Sequence, residues 1–203
     1  MIDAYAHHAE PGAAGGTLAF LFHGTGGNET QFLGLAGDLL TDATLIAPRG
    51  DVSENGALRF FRRTGEGVYD MDDLARATAK MAGFVAAHIE AAAPSRVIGL
   101  GYSNGANILA SVIFGNPTLF DDAVLMHPLI PWDPAPAPVT TRTLITAGAR
   151  DPICPPDRTR ALESWLATQG APVSTHWHTG GHEIARSEIE AVAGVLRGAK
   201  APA

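Results

Sequence analysis

Short apolar runs alternate with helical patterns along almost the whole chain, and this alternation restricts the possible folds more than any other feature. The run LAFLF at 18–22 is apolar throughout and precedes a glycine-rich turn, as expected of a central strand buried on both faces. Strands and helices that alternate in this way predict a mainly parallel sheet with helices on both faces. Further strands are predicted at 43–47, 96–102, 123–126, 143–147 and 173–178.

Four amphipathic helices are predicted between and after these strands. Apolar residues recur at helical spacing from Leu74 to Ile89, and acidic residues precede them where the helix dipole favours negative charge. Later helices are predicted from 104 to 114, from 157 to 166 and from 185 to 196. Since there is no repeat, linker or shift in composition, we expect one domain over residues 1–203.

Composition argues against several classes of partner. The chain has 14 Lys and Arg against 21 Asp and Glu, a formal net charge of −7, which disfavours nucleic acid or an anionic membrane. No apolar run reaches the roughly 20 residues that a membrane-spanning helix needs. Residues 1–16 do not resemble a signal peptide, and the single cysteine, Cys154, allows no disulfide within the chain. We therefore expect a cytoplasmic protein.

The segment GYSNG at 101–105 is the strongest chemical signal. It follows an apolar strand and precedes a helix, so Ser103 is expected on a sharp turn that exposes its hydroxyl at the edge of the sheet. Glycines two residues to either side leave room for the backbones to approach. A G-x-S-x-G pattern alone could be a chance turn, but its position between strand and helix favours a nucleophile.

A serine nucleophile needs a base, and the base needs an acid that orients it. In α/β-hydrolases these follow in the order Ser, Asp or Glu, His. Asp151 follows the strand at 143–147, and His182 follows the last strand, so both are expected at the edge that Ser103 occupies. Asp133, in a proline-rich loop at the same edge, is the alternative acid.

Other histidines compete for the role of base. His7 and His8 precede every predicted element and are expected to be solvated, and His88 lies within a helix and is expected to be structural. His176 and His178 alternate along a strand and are expected to shape the surface. Together with His182 they could bind a metal, but no cysteine or carboxylate completes such a set. We predict no metal site.

Acyl transfer also needs donors for an oxyanion. The N–H after the nucleophile, that of Asn104, is one candidate. The loop HGTGG at 23–27 should supply the other, and its glycines would let the N–H of Thr25 turn inward. His23 is expected to order this loop through hydrogen bonds.

Five segments together resemble small bacterial carboxylesterases grouped with phospholipases and acyl-protein thioesterases: HGTGGNE, PRGDVSENGALRFFRR, GYSNGAN, AGARDPICP and HWHTGGHEI. The resemblance covers about 18–196. It implies an α/β-hydrolase sheet of the eight-stranded type with its first strands shortened or missing, a triad of Ser103, Asp151 and His182, and oxyanion donors at Thr25 and Asn104. Many relatives carry Gln where this chain has Asn104. Dienelactone hydrolases are similar in fold but use a cysteine, which Ser103 argues against.

The loop between the strands at 123–126 and 143–147 is too short and proline-rich for a helical lid, so an uncapped cleft is expected. Ile130 and Trp132 would wall it, with Ile153 beside the catalytic acid. The segment 49–69 is predicted to fold over the cleft, where Arg59, Phe60 and Arg62 would give an aromatic wall and positive charge. Alternatively, the phenylalanines anchor a long loop and the arginines are solvated.

These interpretations predict hydrolysis of small carboxylic esters through an acyl-enzyme, without a cofactor. A thioester or lysophospholipid substrate would use the same chemistry, and the sequence does not separate these possibilities. A binding module that keeps the fold without catalysis is the alternative of a different class. A homodimer is compatible with the sequence, which gives no basis for deciding.

Overall fold

The computed structural model describes residues 1–198; residues 199–203, which the one-domain prediction includes, lie outside that range. The strands are β1 (His7–Glu10), β2 (Thr17–Phe22), β3 (Thr44–Pro48), β4 (Val52–Glu54), β5 (Ala57–Arg59), β6 (Arg63–Gly65), β7 (Val68–Tyr69), β8 (Arg96–Tyr102), β9 (Asp122–Met126), β10 (Arg142–Gly148) and β11 (Val173–His178). The helices are α1 (Leu33–Leu39), α2 (Met71–Ala92), α3 (Asn104–Gly115), α4 (Pro156–Thr168) and α5 (Arg186–Leu196).

A seven-stranded sheet organises the described residues, in the order β1-β3-β2-β8-β9-β10-β11. Strand β1 runs antiparallel to β3, and the other neighbours are parallel. Phe22 pairs with Gly101, and Tyr102 pairs with Met126, so the carboxyl ends of β2, β8 and β9 lie side by side. The loops that leave these strands therefore meet at one edge of the sheet. The predicted α/β architecture is confirmed.

Apolar side chains fill both faces of the sheet. Along β2, Leu18, Phe20 and Phe22 belong to one buried cluster, and Ala19 and Leu21 belong to the other. Helices α2, α3 and α4 pack on the first face, and α1 and α5 pack on the second. Because β2 is buried on both faces, it is apolar at consecutive positions.

The helix ends follow the capping chemistry of the sequence. Asp70 precedes α2, and its carboxylate accepts the N–H of Asp73 at 3.0 Å. The helix ends with Ala92, and the next residue, Ala93, has a φ of 43° in the left-handed region. Helix α4 begins at Pro156, a position where a missing N–H costs nothing. None of the helices in residues 1–198 is long and apolar enough to span a membrane.

The structure contains elements that the periodicity did not predict. His7 and His8 were expected outside any element but lie in β1, where they pair with Pro48 and Ala47 at the sheet edge. That strand is short and polar, so it forms through backbone pairing with β3 and shows no apolar pattern in the sequence. Helix α1 was also missed. The segment 49–69 forms two short hairpins, β4–β5 and β6–β7.

Candidate active site

The backbone at Ser103 is strained in the way that a nucleophile turn requires. Its φ of 50° and ψ of −115° lie outside the usual regions for a residue with a side chain. The neighbouring glycines allow the backbones of β2, β8 and α3 to approach closely, since a Cβ on Gly105 would lie 2.2 Å from the carbonyl oxygen of Phe22. A Cβ on Gly101 would lie 2.5 Å from the carbonyl oxygen of Gly105. Close packing of β2, β8 and α3 therefore holds Ser103 in this conformation.

The structure brings together the three residues of the predicted triad. His182 Nε2 lies 3.0 Å from Ser103 Oγ, and His182 Nδ1 lies 2.7 Å from Asp151 Oδ2. Since a carboxylate only accepts, the Nδ1 proton points to Asp151, which leaves Nε2 to accept from the serine hydroxyl. Asp133, the alternative acid, is exposed and lies in the loop after Trp132. The arrangement can move a proton from the hydroxyl to the imidazole.

Asp151 stays ionised although it is buried. Its Oδ1 accepts the N–H groups of Ile153 at 2.8 Å and Cys154 at 2.9 Å, and its Oδ2 accepts from both His182 and His127. Burial pushes the pKa of this carboxyl upward, but the hydrogen bonds from Cys154, His127 and His182 lower it overall. Asp151 therefore keeps its charge opposite His182.

His127 lies at the site although the sequence patterns did not indicate it. It follows β9 directly, is fully buried, and has a φ of 50°. Its Nδ1 donates to Asp151 Oδ2 at 2.9 Å, and its Nε2 lies 2.9 Å from Glu188 Oε1. Burial disfavours its charge, but the facing carboxylates of Glu188 and Asp151 raise its pKa. His127 follows the strand predicted at 123–126, and a position at the carboxyl end of a strand is the feature of the sequence that could have indicated its role.

Glu188 continues this pairing on the side away from Ser103. It lies in the first turn of α5, is fully buried, and accepts the N–H of Ala185 at 2.6 Å. His178 Nε2 is 3.2 Å from the other carboxylate oxygen, and His178 Nδ1 accepts the N–H of Gly180. Burial pushes the pKa of Glu188 upward, but His127 and the N–H of Ala185 lower it overall. We call Asp151, His127, Glu188 and His178 the buried charge network.

This network corrects the expectation for the strand histidines. His178 is buried against Glu188 and does not shape the surface, whereas His176 binds Ser187. The possible metal set of these two histidines and His182 is therefore not assembled. In residues 1–198, two groups have ligand atoms close enough for a metal ion: His127, Asp151 and His182, and His127, His178 and Glu188. Hydrogen bonds and ion pairs among these residues account for both groups.

The two residues predicted as oxyanion donors flank Ser103. Asn104 is the first residue of α3, where an N–H has no acceptor within the helix. Within residues 1–198, the N–H of Thr25 donates to no protein acceptor, and both residues line the same cavity as Ser103. His23 orders the Thr25 loop as expected, because it bonds the carbonyl of Gly24 and accepts the N–H of Gly50.

Two adjacent cavities open beside Ser103. The inner cavity is lined by Arg59, Tyr69, Asn104, Asn107, Leu129 and Cys154. The outer cavity is lined by Tyr102 and His182. Thr25, Arg63, Glu66, Ser103 and Ile153 line both. Of the predicted pocket residues, the structure brings Arg59 and Ile153 to the cavities.

The other four predicted pocket residues lie elsewhere. Phe60 is fully buried against Phe22 and His23. The side chain of Arg62 is exposed, and its backbone N–H binds Asp73.

Ile130 is buried in the core, and the Trp132 ring packs edge-on against Tyr69 and Phe114. The predicted aromatic wall of phenylalanines is therefore wrong, since these rings anchor the segment from below. The positive charge is present, but it comes from Arg59 and Arg63.

Cys154 lies in the inner cavity wall as a buried thiol. Its Sγ donates to the carbonyl of His127 at 3.1 Å, and burial raises its pKa. A thiol in this environment is a poor nucleophile, because the thiolate is the reactive form.

A sheet of this topology with a serine on a strained strand-to-helix turn defines an α/β-hydrolase. No protein-family model matches the chain. MhqD of Bacillus subtilis (strain 168), whose name assigns it to the hydrolases, is 40% identical over 192 residues, which are 91% of this chain and 94% of that protein.

Solved structures agree with this relationship. The carboxylesterase of Bacillus cereus is 34% identical, with a TM-score of 0.89 over 95% of this chain and 93% of that one. The protein Atu2452 of unknown function from Agrobacterium tumefaciens str. C58 is 58% identical, with a TM-score of 0.93 over 97% and 98% of the two chains. The chain belongs to the family of α/β-hydrolases that contains these hydrolases and carboxylesterases, as its motifs predicted.

Proposed function

We propose that this protein hydrolyses esters of small carboxylic acids through a covalent acyl-enzyme on Ser103. The observation that carries this proposal is the continuous hydrogen-bonded line from Ser103 Oγ through His182 to Asp151. The family relationship supports a hydrolase, and the carboxylesterase of Bacillus cereus supports esters as the substrate class. The reaction needs no cofactor and would take place in the cytoplasm, as expected from the sequence.

In the first half of the reaction, His182 Nε2 takes the hydroxyl proton while Ser103 Oγ bonds to the ester carbonyl carbon. The carbonyl oxygen becomes an oxyanion, which the N–H groups of Thr25 and Asn104 would stabilise. The bond from the carbonyl carbon to the alcohol oxygen then breaks, and the alcohol leaves with the proton from His182. Asp151 holds the imidazole in the tautomer that can accept a proton.

In the second half, water attacks the acyl carbon and gives its proton to His182. The tetrahedral intermediate collapses, Ser103 leaves with that proton, and the carboxylic acid is released. The site is at the N-terminus of α3, where partial positive charge favours both oxyanions. Thioesters would follow the same course, and a series of matched esters and thioesters would rank the two classes.

Labelling with a fluorophosphonate probe tests this proposal. The wild-type protein should react at Ser103, and Ser103→Ala should not. Turnover of a small ester should fall by at least about 10³-fold in Ser103→Ala, because one member of a triad is lost. Ser187→Ala removes an exposed hydroxyl on α5 and should change neither result. A non-catalytic binding module would show no labelling of the wild-type protein.

A further inference from the structure

The inner cavity contains buried hydrogen-bond donors that the protein itself does not use. Arg59 is 3% exposed; its Nε donates to the carbonyl of Phe61 and its Nη1 to Thr25 Oγ1 at 2.6 Å. Within residues 1–198, its Nη2 donates to no acceptor. Asn104 is 1% exposed, and its Nδ2 has no partner among the described residues. Buried donors are nearly always paired, so within residues 1–198 Asn104 Nδ2 lacks the acceptor that such a group usually has, and the Arg59 guanidinium, which lines the cavity, keeps a donor free for a ligand.

The charges around the cavity also leave Arg59 incompletely neutralised. Glu54 lies 3.4 Å from Arg59 Nε, but both of its carboxylate oxygens accept from Arg63 Nε at 3.0 Å. Glu66 also pairs with Arg63, at 2.6 Å from Nη1. Burial, and then the positive charge of Arg63, lower the pKa of Arg59. A negative group in the inner cavity would offset both effects, because it stabilises the charged form of the guanidinium.

The position of His182 decides which part of an ester enters this cavity. His182 must give its proton to the departing alcohol, so the alcohol has to lie on the side of the imidazole. His182 lines the outer cavity and not the inner one. The acyl part therefore extends into the inner cavity, between Arg59 and Asn104.

The size of the cavity limits the length of that acyl part. The inner cavity has a volume of about 30 Å³, which restricts the acyl part beyond the carbonyl to a few atoms, and the outer cavity has about 260 Å³. A long alkyl chain would not fit the inner cavity, and it would leave the donors of Arg59 and Asn104 unpaired. The alcohol part meets no comparable restriction.

We propose that the inner cavity binds a short acyl group that ends in a second carboxylate, as in half-esters of three- or four-carbon dicarboxylic acids. This inference rests on the proposed esterase function and specifies its substrate class. Arg59 would form a charged hydrogen bond with that carboxylate through Nη2. The second carboxylate keeps its charge throughout the reaction and takes no part in the bonds that form and break.

Matched esters of one alcohol test the proposal. Monoethyl malonate and monoethyl succinate carry the anionic group, and ethyl pentanoate and ethyl 4-oxopentanoate are neutral controls of similar length. With acid release measured at constant ionic strength, kcat/KM should be about 10- to 100-fold higher for the better half-ester, as expected for a hydrogen bond to a charged group.

Arg59→Met should abolish this ratio. Because Arg59 also holds Thr25, the rates for neutral esters can fall as well, so the ratio is the diagnostic quantity. Arg62→Met removes the same charge from the same segment but outside both cavities, and it should keep the wild-type ratio. Equal rates for the anionic and neutral esters in the wild type, or an unchanged ratio in Arg59→Met, would overturn the inference.

A second measurement uses only the wild-type protein and does not depend on a folded variant. Succinate should slow fluorophosphonate labelling of Ser103 at concentrations where butyrate, at the same ionic strength, has no effect. Equal protection by both anions, or by neither, would contradict a carboxylate site. If no ester is hydrolysed and the probe does not react, the proposed function itself fails, which is a different result from loss of the preference.

Discussion

Two groups of polar residues flank Ser103, and they differ in how completely their charges are paired. On the side of His182, the buried charge network joins Asp151, His127 and Glu188 through contacts of 2.9 Å. On the other side, Arg59 and Asn104 line a cavity with donors that have no acceptor in residues 1–198. Arg59 lines an open cavity, so an acceptor from outside the protein can reach it.

The difference shows what each group does for the site. Buried ions that pair with one another fix geometry, and removing one partner leaves an uncompensated charge. Buried donors without partners weaken the fold unless a ligand supplies the acceptor. We therefore expect changes in the network to alter stability and catalysis for every substrate, whereas changes around the cavity alter substrate preference.

The largest effect is expected where the network meets the reacting residues. Asp151→Asn should lower kcat by about 10⁴-fold, because an amide can donate to His182 Nδ1 and so stabilise the wrong tautomer. Steady-state hydrolysis of a neutral ester measures this. Asp133→Asn removes an exposed carboxylate from the alternative acid and should leave kcat unchanged. Equal losses in both variants would contradict the assignment of Asp151.

The next largest effect is a loss of stability expected at His127, in the middle of the buried charge network. His127→Asn should lower the free energy of unfolding by about 3–5 kcal/mol, since Asp151 and Glu188 lose the cation between them. Asparagine tolerates the positive φ of this position, so backbone strain adds little.

His88→Asn is the matched control, because His88 is also buried but packs against Phe84 and Phe20 without a carboxylate. Urea unfolding should show a clearly smaller loss for that variant. Equal losses would mean that packing, and not ion pairing, determines the cost at His127.

The pH dependence of stability, compared between the wild type and His127→Asn, tests this ion pairing further. The pKa values of Asp151 and Glu188 are lowered in the folded protein. Their contribution to stability is therefore present above the ordinary carboxyl pKa of about 4 and is lost as pH falls through their pKa values in the folded state. The pKa of His127 is raised in the folded protein. Its contribution to stability is therefore complete below about pH 6.5 and is lost as pH rises through its pKa in the folded state.

The stability difference between wild type and His127→Asn should therefore be largest between about pH 4 and 6.5 and should decrease on both sides. Urea unfolding across this range measures it. A difference that does not change with pH would indicate that folding does not shift the pKa of His127, which would contradict the ion pairing.

The smallest effect is expected on the cavity side. Asn104→Ala removes the acceptor of the buried Phe60 N–H, which lies 2.8 Å from Asn104 Oδ1. It also removes the unpartnered Nδ2, so the two changes partly offset each other, and we expect a net loss of about 1 kcal/mol. Asn28→Ala, at an exposed turn, should stay within about 0.5 kcal/mol. A loss of several kcal/mol in Asn104→Ala would place this residue with the paired group instead.

Sequence patterns predicted the central sheet because β2 and β8 are apolar at consecutive positions, which few other structures explain. They did not predict β1 or α1, since backbone pairing at an edge and a single helical turn or two produce little periodicity. The pocket prediction identified Arg59 and Ile153 but also included Phe60 and Ile130, which face the core. Along an irregular segment, side-chain direction does not follow from residue spacing.

The amino-acid sequence by itself determined the order of the central strands and of the helices that follow them, and it placed Ser103, Asp151 and His182 after strands whose carboxyl ends share one edge. That is possible because local chemistry, namely apolar runs, glycines and turn residues, decides where strands end. Only the tertiary structure decided that His127 lies between Asp151 and Glu188, and that Arg59 lies beside Asn104. These contacts join residues from distant loops, and their geometry depends on how the packed helices and strands orient each side chain.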